Sequence, residues 1–373
     1  MKKTIAVLLV LVLVFSLAMP AGASPFEEEE AARNHTYGIA KGYVRTSEIC
    51  KRDKGDTQKY IWIYDKKGNR IKEVETTKND NYSSTAIAKW TYDKKGNMTK
   101  QVLCESDRKI TETFAYNKAG KLTKESRKIV YEDNLTYTSV RYYTYNKAGK
   151  VTKELAYYDD CEEVKTYTYD KKGNVTKEGQ TQSYEDNTQA VTSTTFTYDK
   201  KGNVTKEVIV EKDRDGSVDK RTFVSTYNEA GQCFKDTQIF SFISDGQKTT
   251  SRAFTTRTFD KNGSVKKVVV QTISGNGRKG SMTIVRTYDQ KNNLTKEVTA
   301  EESPDYAYKT TKTYAYDKKG NLVKKTTVVK DSGGVERINE TYAYDKAGNL
   351  TKYVCSGDVD KIVKTFTYQK IES

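Results

Sequence analysis

The sequence predicts an all-β fold: an antiparallel array of β-hairpin repeats, about 22 strands, in a curled or spiralling sheet. Three observations carry this. First, a block of the form Tyr92-Asp-Lys-Lys-Gly-Asn-Met-Thr-Lys100 recurs from residue 64 to the C-terminus. Its anchors are Tyr64, Tyr92, Tyr116, Tyr145, Tyr169, Tyr198, Tyr227, Phe259, Tyr288, Tyr316 and Tyr344, spaced 24 to 32 residues apart, with a truncated twelfth copy at Phe366-Thr-Tyr368. A period that covers the chain means one array rather than several domains. Second, the residue after the anchor is Asp in eight copies and Asn in three, and Gly follows three residues later in ten, with Asn292 in the other. Asp or Asn at the start of a type I turn and a left-handed Gly at its end make a three-residue hairpin loop with a bulge. Third, the flanks alternate with period two, as in Trp90-Thr-Tyr92 and Val204-Thr-Lys206, the pattern of half-buried strands.

The elements follow in chain order. Residues 1–23 read as a secretory leader: Lys2 and Lys3, an apolar run from Ile5 to Leu17, then Ala21-Gly22-Ala23. A secreted or cell-surface location is therefore expected, and no later stretch is apolar enough to span a membrane as a helix. Residues 24–59 form an acidic lead-in and the first strands, and 60–373 the repeat array. The full chain of 373 residues carries 65 Lys and Arg against 50 Asp and Glu, a net charge of +15, and mean hydropathy −0.82. Loss of the leader lowers the charge to +13. With 28 Tyr the chain is too aromatic for a disordered polymer.

Within a repeat, the predicted register opposes Asp93 to Asn97, Tyr92 to Met98 and Trp90 to Lys100. One face then carries the aromatics and a Lys that recurs in every copy from Lys72 to Lys352. The other carries Thr opposite Thr, as Thr197 with Thr205, and Glu. The structural residues of the repeat are exemplified by Tyr92, Asp93, Gly96 and Lys100 and by Tyr198, Asp199, Gly202 and Lys206. An open sheet of this size is not expected to stay flat.

The repeat Tyr-Asp-x-x-Gly-Asn, followed by an aliphatic residue and Thr, resembles the YD repeat of the RHS/YD family over about residues 60–368. That resemblance implies hairpins coiled into a hollow shell and a surface or extracellular setting. Asn69, Asn97, Asn174, Asn203, Asn293, Asn321 and Asn349 stand where the family usually has Arg. No toxin effector segment is read after the repeats, so the resemblance implies architecture and not toxin activity.

No catalytic, metal or cofactor constellation is expected. The single His, His35, lies in the lead-in, and Asp213-Arg-Asp215-Gly-Ser217-Val-Asp219 is too short for a calcium loop and falls at a hairpin turn. The Cys, at 50, 104, 161, 233 and 355, are too far apart along the meander for internal disulfides unless the sheet rolls back onto itself.

The expected function is non-catalytic binding or adhesion to a glycan or acidic polymer. The alternative is an orphan shell linked to toxin encapsulation or delivery. Nucleic acid is disfavoured, because the recurrent Lys also serves sheet solubility. The candidate ligand site is where the residue two before the anchor stops being aromatic: Ser225, Arg257 and Arg286. In the predicted register Arg257 opposes Lys267 and Arg286 opposes Lys296. With Arg221 these cations would form an anion-binding patch.

Overall fold

The computed structural model describes residues 43–52, 55–244, 246–304, 306–358 and 360–370. The predicted leader, the acidic start of the lead-in and His35 lie outside them. The described chain is a 24-stranded antiparallel meander in which each strand pairs with its sequence neighbour. The first strand, Tyr43–Arg52, also pairs with the last, Ile362–Lys370, so the sheet closes into a barrel. The expected 22 strands become 24 because the lead-in and the truncated twelfth copy each supply one, and these two close the wall. No strand approaches any other than its hydrogen-bonded neighbours within 8 Å between Cα atoms, so the wall is a single layer.

Closure and stagger set the size. Lys100 faces Thr113, and Thr113 faces Ser126, two residues beyond Lys124. The same two-residue step recurs from hairpin to hairpin, as Lys206 to Val224 to Thr237. With strands ~4.8 Å apart and a ~3.3 Å rise per residue, this gives a tilt of about 35° and a backbone diameter of about 45 Å.

The turns form as their chemistry dictates. In the Tyr92 hairpin, Asp93 N donates to Asn97 O at 2.9 Å and Gly96 N to Asp93 O at 3.1 Å. Gly96 has φ 88°, and Asn292 takes the same left-handed region at φ 66°. The Asn after the Gly is a clasp: Asn97 Nδ2 donates to Asp93 Oδ2, while Lys95 N and Asn97 N donate to Oδ1. The Asn97 amide and these backbone bonds hold the Asp93 carboxyl below the usual range, and Asn203 does the same for Asp199. Asp213–Ser217 is likewise a turn, with Gly216 N donating to Asp213 O.

The register corrects the sequence-based one. A bulge between Thr91 and Tyr92 puts Lys100 opposite Thr91 and Gln101 opposite Trp90. In the Tyr198 hairpin Thr197 faces Lys206, not Thr205, and Thr205 Oγ1 donates to Thr197 O. Two residues stand against one at the bulge, and a one-residue slip exchanges the faces. The recurrent Lys therefore lies on the Thr face and the following Glu on the aromatic face.

Anchor tyrosines join one repeat to the next. Tyr116 Oη donates to Met98 O at 2.7 Å, Tyr198 Oη to Val175 O at 2.6 Å and Tyr344 Oη to Leu322 O at 2.9 Å. Each accepting carbonyl belongs to the first residue after the previous turn, beyond the last ladder pair, and the phenol satisfies it. All five Cys are free thiols. Near the seam, the Ile362–Lys370 strand separates Cys50 from Cys355.

Candidate functional site

The wall has two chemically different faces. The aromatic face holds the anchors, the ring two residues before eight of them, and in five of those hairpins a carboxylate opposite that ring, as Trp62 faces Glu73, Tyr143 faces Glu154, Tyr167 faces Glu178 and Phe196 faces Glu207. Rings with polar heads donate to these acids. Trp62 Nε1 donates to Glu73 Oε2 at 2.8 Å, Tyr143 Oη to Glu125 Oε2 at 3.1 Å, and Tyr167 Oη to Glu154 Oε1 at 2.8 Å. Burial and the Glu125 charge push the Tyr143 phenol up to about 12.

The exceptional residues obey the same rule. Arg257 does not face Lys267; it faces Val268, and its Nη1 bonds Asp236 Oδ2 at 2.5 Å, reaching back one repeat as Tyr143 and Tyr167 do. Arg286 faces Glu297 rather than Lys296, and its Nε bonds Glu297 Oε2 at 2.8 Å, as Trp62 bonds Glu73. Lys312 Nζ also reaches Glu297, at 3.1 Å. Burial pushes the Glu297 carboxyl up, but these two cations outweigh it and hold it below its ordinary value. Arg221 pairs with Glu211 and lies 3.9 Å from Asp219. The cation patch expected at Arg221, Arg257, Lys267, Arg286 and Lys296 is therefore not assembled. Its arginines neutralise acids on one face, and Lys267 and Lys296 stand on the other, opposite Thr258 and Thr287.

Glu178 and Glu207 lack such donors. Phe196 has no hydroxyl to offer Glu178, and Ser225 is too short to reach Glu207. Burial raises both carboxyls above the usual range, and the Glu178 charge adds to the rise at Glu207.

The lysine face is different. Its strand acids, among the described residues, are Glu162 and Glu302 alone, whereas Lys or Arg occurs on almost every strand. The recurrent Lys forms a row of eleven at constant height above the Tyr-Asp turns, from Lys72 through Lys100 and Lys206 to Lys352. Two strand spacings and the two-residue step separate neighbours by about 12 Å between Cα atoms. All but Lys72 are exposed. Lys124 Nζ lies 5.4 Å over the Tyr142 ring, and no described acid pairs with any member of the row.

No protein-family model matches the chain, and no curated protein matches it. Two solved structures are similar in outline. One is a chain of the Photorhabdus luminescens Tc holotoxin pore, at 14% identity and TM-score 0.32, with 81% of this chain aligned to 19% of that one. The other is a porin-like protein from Bacteroides uniformis, at 13% identity and TM-score 0.24, with 87% of this chain aligned to 98% of that one. This chain thus spans about a fifth of the length of the toxin chain it matches.

Proposed function

We propose that this is an exported, non-catalytic repeat protein that binds an acidic polymer, an anionic glycan foremost, through its lysine face. One observation carries the reading: the two faces are not equally neutralised. Cations on the aromatic face are spent on buried or half-buried acids. Those on the lysine face are left to solvent in a regular row. A surface with evenly spaced, unpaired ammonium groups attracts polyanions and does so in a salt-dependent way.

The test is binding of polyuronate, sulfated glycan and neutral glycan at several salt concentrations. Replacing Lys177, Lys206, Lys235 and Lys267 with Gln is expected to weaken acidic-polymer binding and flatten its salt dependence. The Arg257→Ala, Arg286→Ala pair is expected to affect folding more than binding. Binding that ignores the four lysines refutes the reading.

Closure of the wall favours a second reading, a shell of the RHS/YD type that encloses cargo. A barrel about 45 Å across has room inside its wall. Protection of a co-expressed acidic polypeptide from protease supports the shell. Full digestion of that polypeptide, with polymer binding intact, favours the first reading.

A further inference from the structure

The lysine face changes character between Phe254 and Glu302. Across four successive strands one continuous row reads Phe254, Gln271, Ser281, Glu302: Phe254 faces Gln271, Gln271 faces Ser281, and Ser281 faces Glu302. The next row reads Arg252, Ile273, Lys279. Together with Thr272, Gly280, Ser303 and Pro304 these two rows, apart from Arg252, line a cleft of about 550 Å³. That volume lies within the range of small-molecule sites.

The composition of the cleft departs from its surroundings. Phe254 stands at a place where other hairpins carry Ile87, Val140, Val164 or Thr222 on the same face. Glu302 is one of the two strand acids on that face. Phe254 and Ile273 are half-buried, whereas Gln271, Lys279, Ser281 and Glu302 are exposed. None of these four polar side chains has a hydrogen-bond or ion-pair partner among the described residues. The cleft thus offers an aromatic ring as a platform, a carboxamide that both donates and accepts, a hydroxyl, a free carboxylate and a free ammonium, with exposed Arg252 beside it.

We infer that this cleft is a recognition subsite for one acidic sugar unit, a uronate or a sulfated hexose. The sugar's apolar face rests on Phe254, its hydroxyls exchange hydrogen bonds with Gln271, Ser281 and Glu302, and its anionic group meets Lys279 and Arg252. A simple polyanion such as polyphosphate matches the ammonium but not the ring, the carboxamide or the free carboxylate, which repels it. A neutral sugar leaves Lys279 without a partner. The inference rests on the acidic-glycan reading and gives it a point of selectivity that the uniform lysine row lacks.

The experiment titrates the full chain with a short uronate oligosaccharide, a neutral oligosaccharide of the same length, and inorganic phosphate, read by saturation-transfer NMR. The parent is expected to give transfer to the uronate, with little competition from phosphate. Phe254→Ala and Gln271→Ala should each weaken it about tenfold. Lys279→Gln should erase the preference for the uronate over the neutral sugar. Gln271 is exposed, so its variant tests the site without disturbing packing. Absence of transfer in the parent, or parental affinity in both the Phe254 and Gln271 variants, overturns the inference. A chain that binds long polymers through the lysine row while the cleft variants behave as parent loses the cleft alone. One that takes the oligosaccharide but no polymer loses the lysine row alone.

Discussion

Two sectors of the barrel use one frame with different chemistry. In the first, from Thr136 to Lys212, the ring two before the anchor is Tyr143, Tyr167 or Phe196, and the two hydroxyls among them bond the carboxylate of the preceding repeat. In the second, from Cys233 to Glu302, Arg257 does this for Asp236, and Arg286 does it for the acid directly opposite. The invariant part is the pairing of a donor two residues before the anchor with an acid on an adjacent strand of the same face. A ring that ends in a hydroxyl and a guanidinium both fill it. The cost of failure differs, because a buried carboxylate with no cation is worse off than one that loses a neutral hydrogen bond.

The largest expected effect tests that difference. Asp236 is 4% exposed, and Arg257→Ala leaves its charge buried without a counter-ion. A loss of about 3–5 kcal/mol is expected, read from urea unfolding. Tyr167→Phe in the first sector should cost only about 1 kcal/mol. Equal losses would mean that the two sectors do not differ as described.

Turns sharpen the comparison next. The Tyr198 hairpin ends in Gly202 at φ 91°, and its counterpart in the second sector is Asn292 at φ 66°. A Cβ on Gly202 would meet nothing within 4 Å, so any penalty comes from the backbone alone. Gly202→Val is expected to cost about 2 kcal/mol or more and Gly202→Asn clearly less. Equal unfolding midpoints for the two variants would contradict the turn.

Much of this was legible in the sequence, because turns are local. Asp at one position and Gly or Asn three later dictate a bulged loop, and the loops delimit the strands. The faces were not assigned correctly. Placing Trp90 opposite Lys100 ignored that Thr99 is the extra residue of the bulge, and the one-residue error moved every recurrent Lys to the wrong side. The signal that corrects it was present: six copies read Lys-Glu, as Lys72-Glu73 and Lys206-Glu207, and adjacent strand residues must point to opposite faces. Closure was not legible. It rests on pairing Tyr43–Arg52 with Ile362–Lys370, and nothing local records a contact at that separation. Nor does any local motif unite Phe254, Gln271, Ser281 and Glu302, which meet only through the register of four strands.

A smaller effect separates the sectors through their anchors. Tyr198→Phe removes the bond to Val175 O and should cost about 1 kcal/mol. Phe259 lacks the hydroxyl that the tyrosine anchors from Tyr92 to Tyr344 use, so Phe259→Tyr is expected to gain a bond to the Cys233 carbonyl and raise the melting temperature slightly. A fall in stability for both substitutions would show that the phenols are not interchangeable links between repeats.

The smallest effect concerns Glu178, which has the carboxylate of the first sector without its donor. The nearest candidate in the next repeat is Phe196, so Phe196→Tyr should supply the missing hydroxyl. Burial raises the Glu178 carboxyl in the parent. A raised value means that the folded state holds the proton more tightly than the unfolded one. The contribution of this group is therefore fully present below the ordinary carboxyl range and is lost as pH rises through the raised folded value. A phenol that donates to the ionised form lowers that value and restores stability where the parent has lost it. The gain should be about 1 kcal/mol at pH 7 and should shrink at a lower pH, as the carboxyl takes up its proton. Thermal unfolding of the two proteins at both pH values is the measurement. A gain that persists undiminished at the lower pH would have to come from packing, and Glu178 would then not be an acid waiting for its donor.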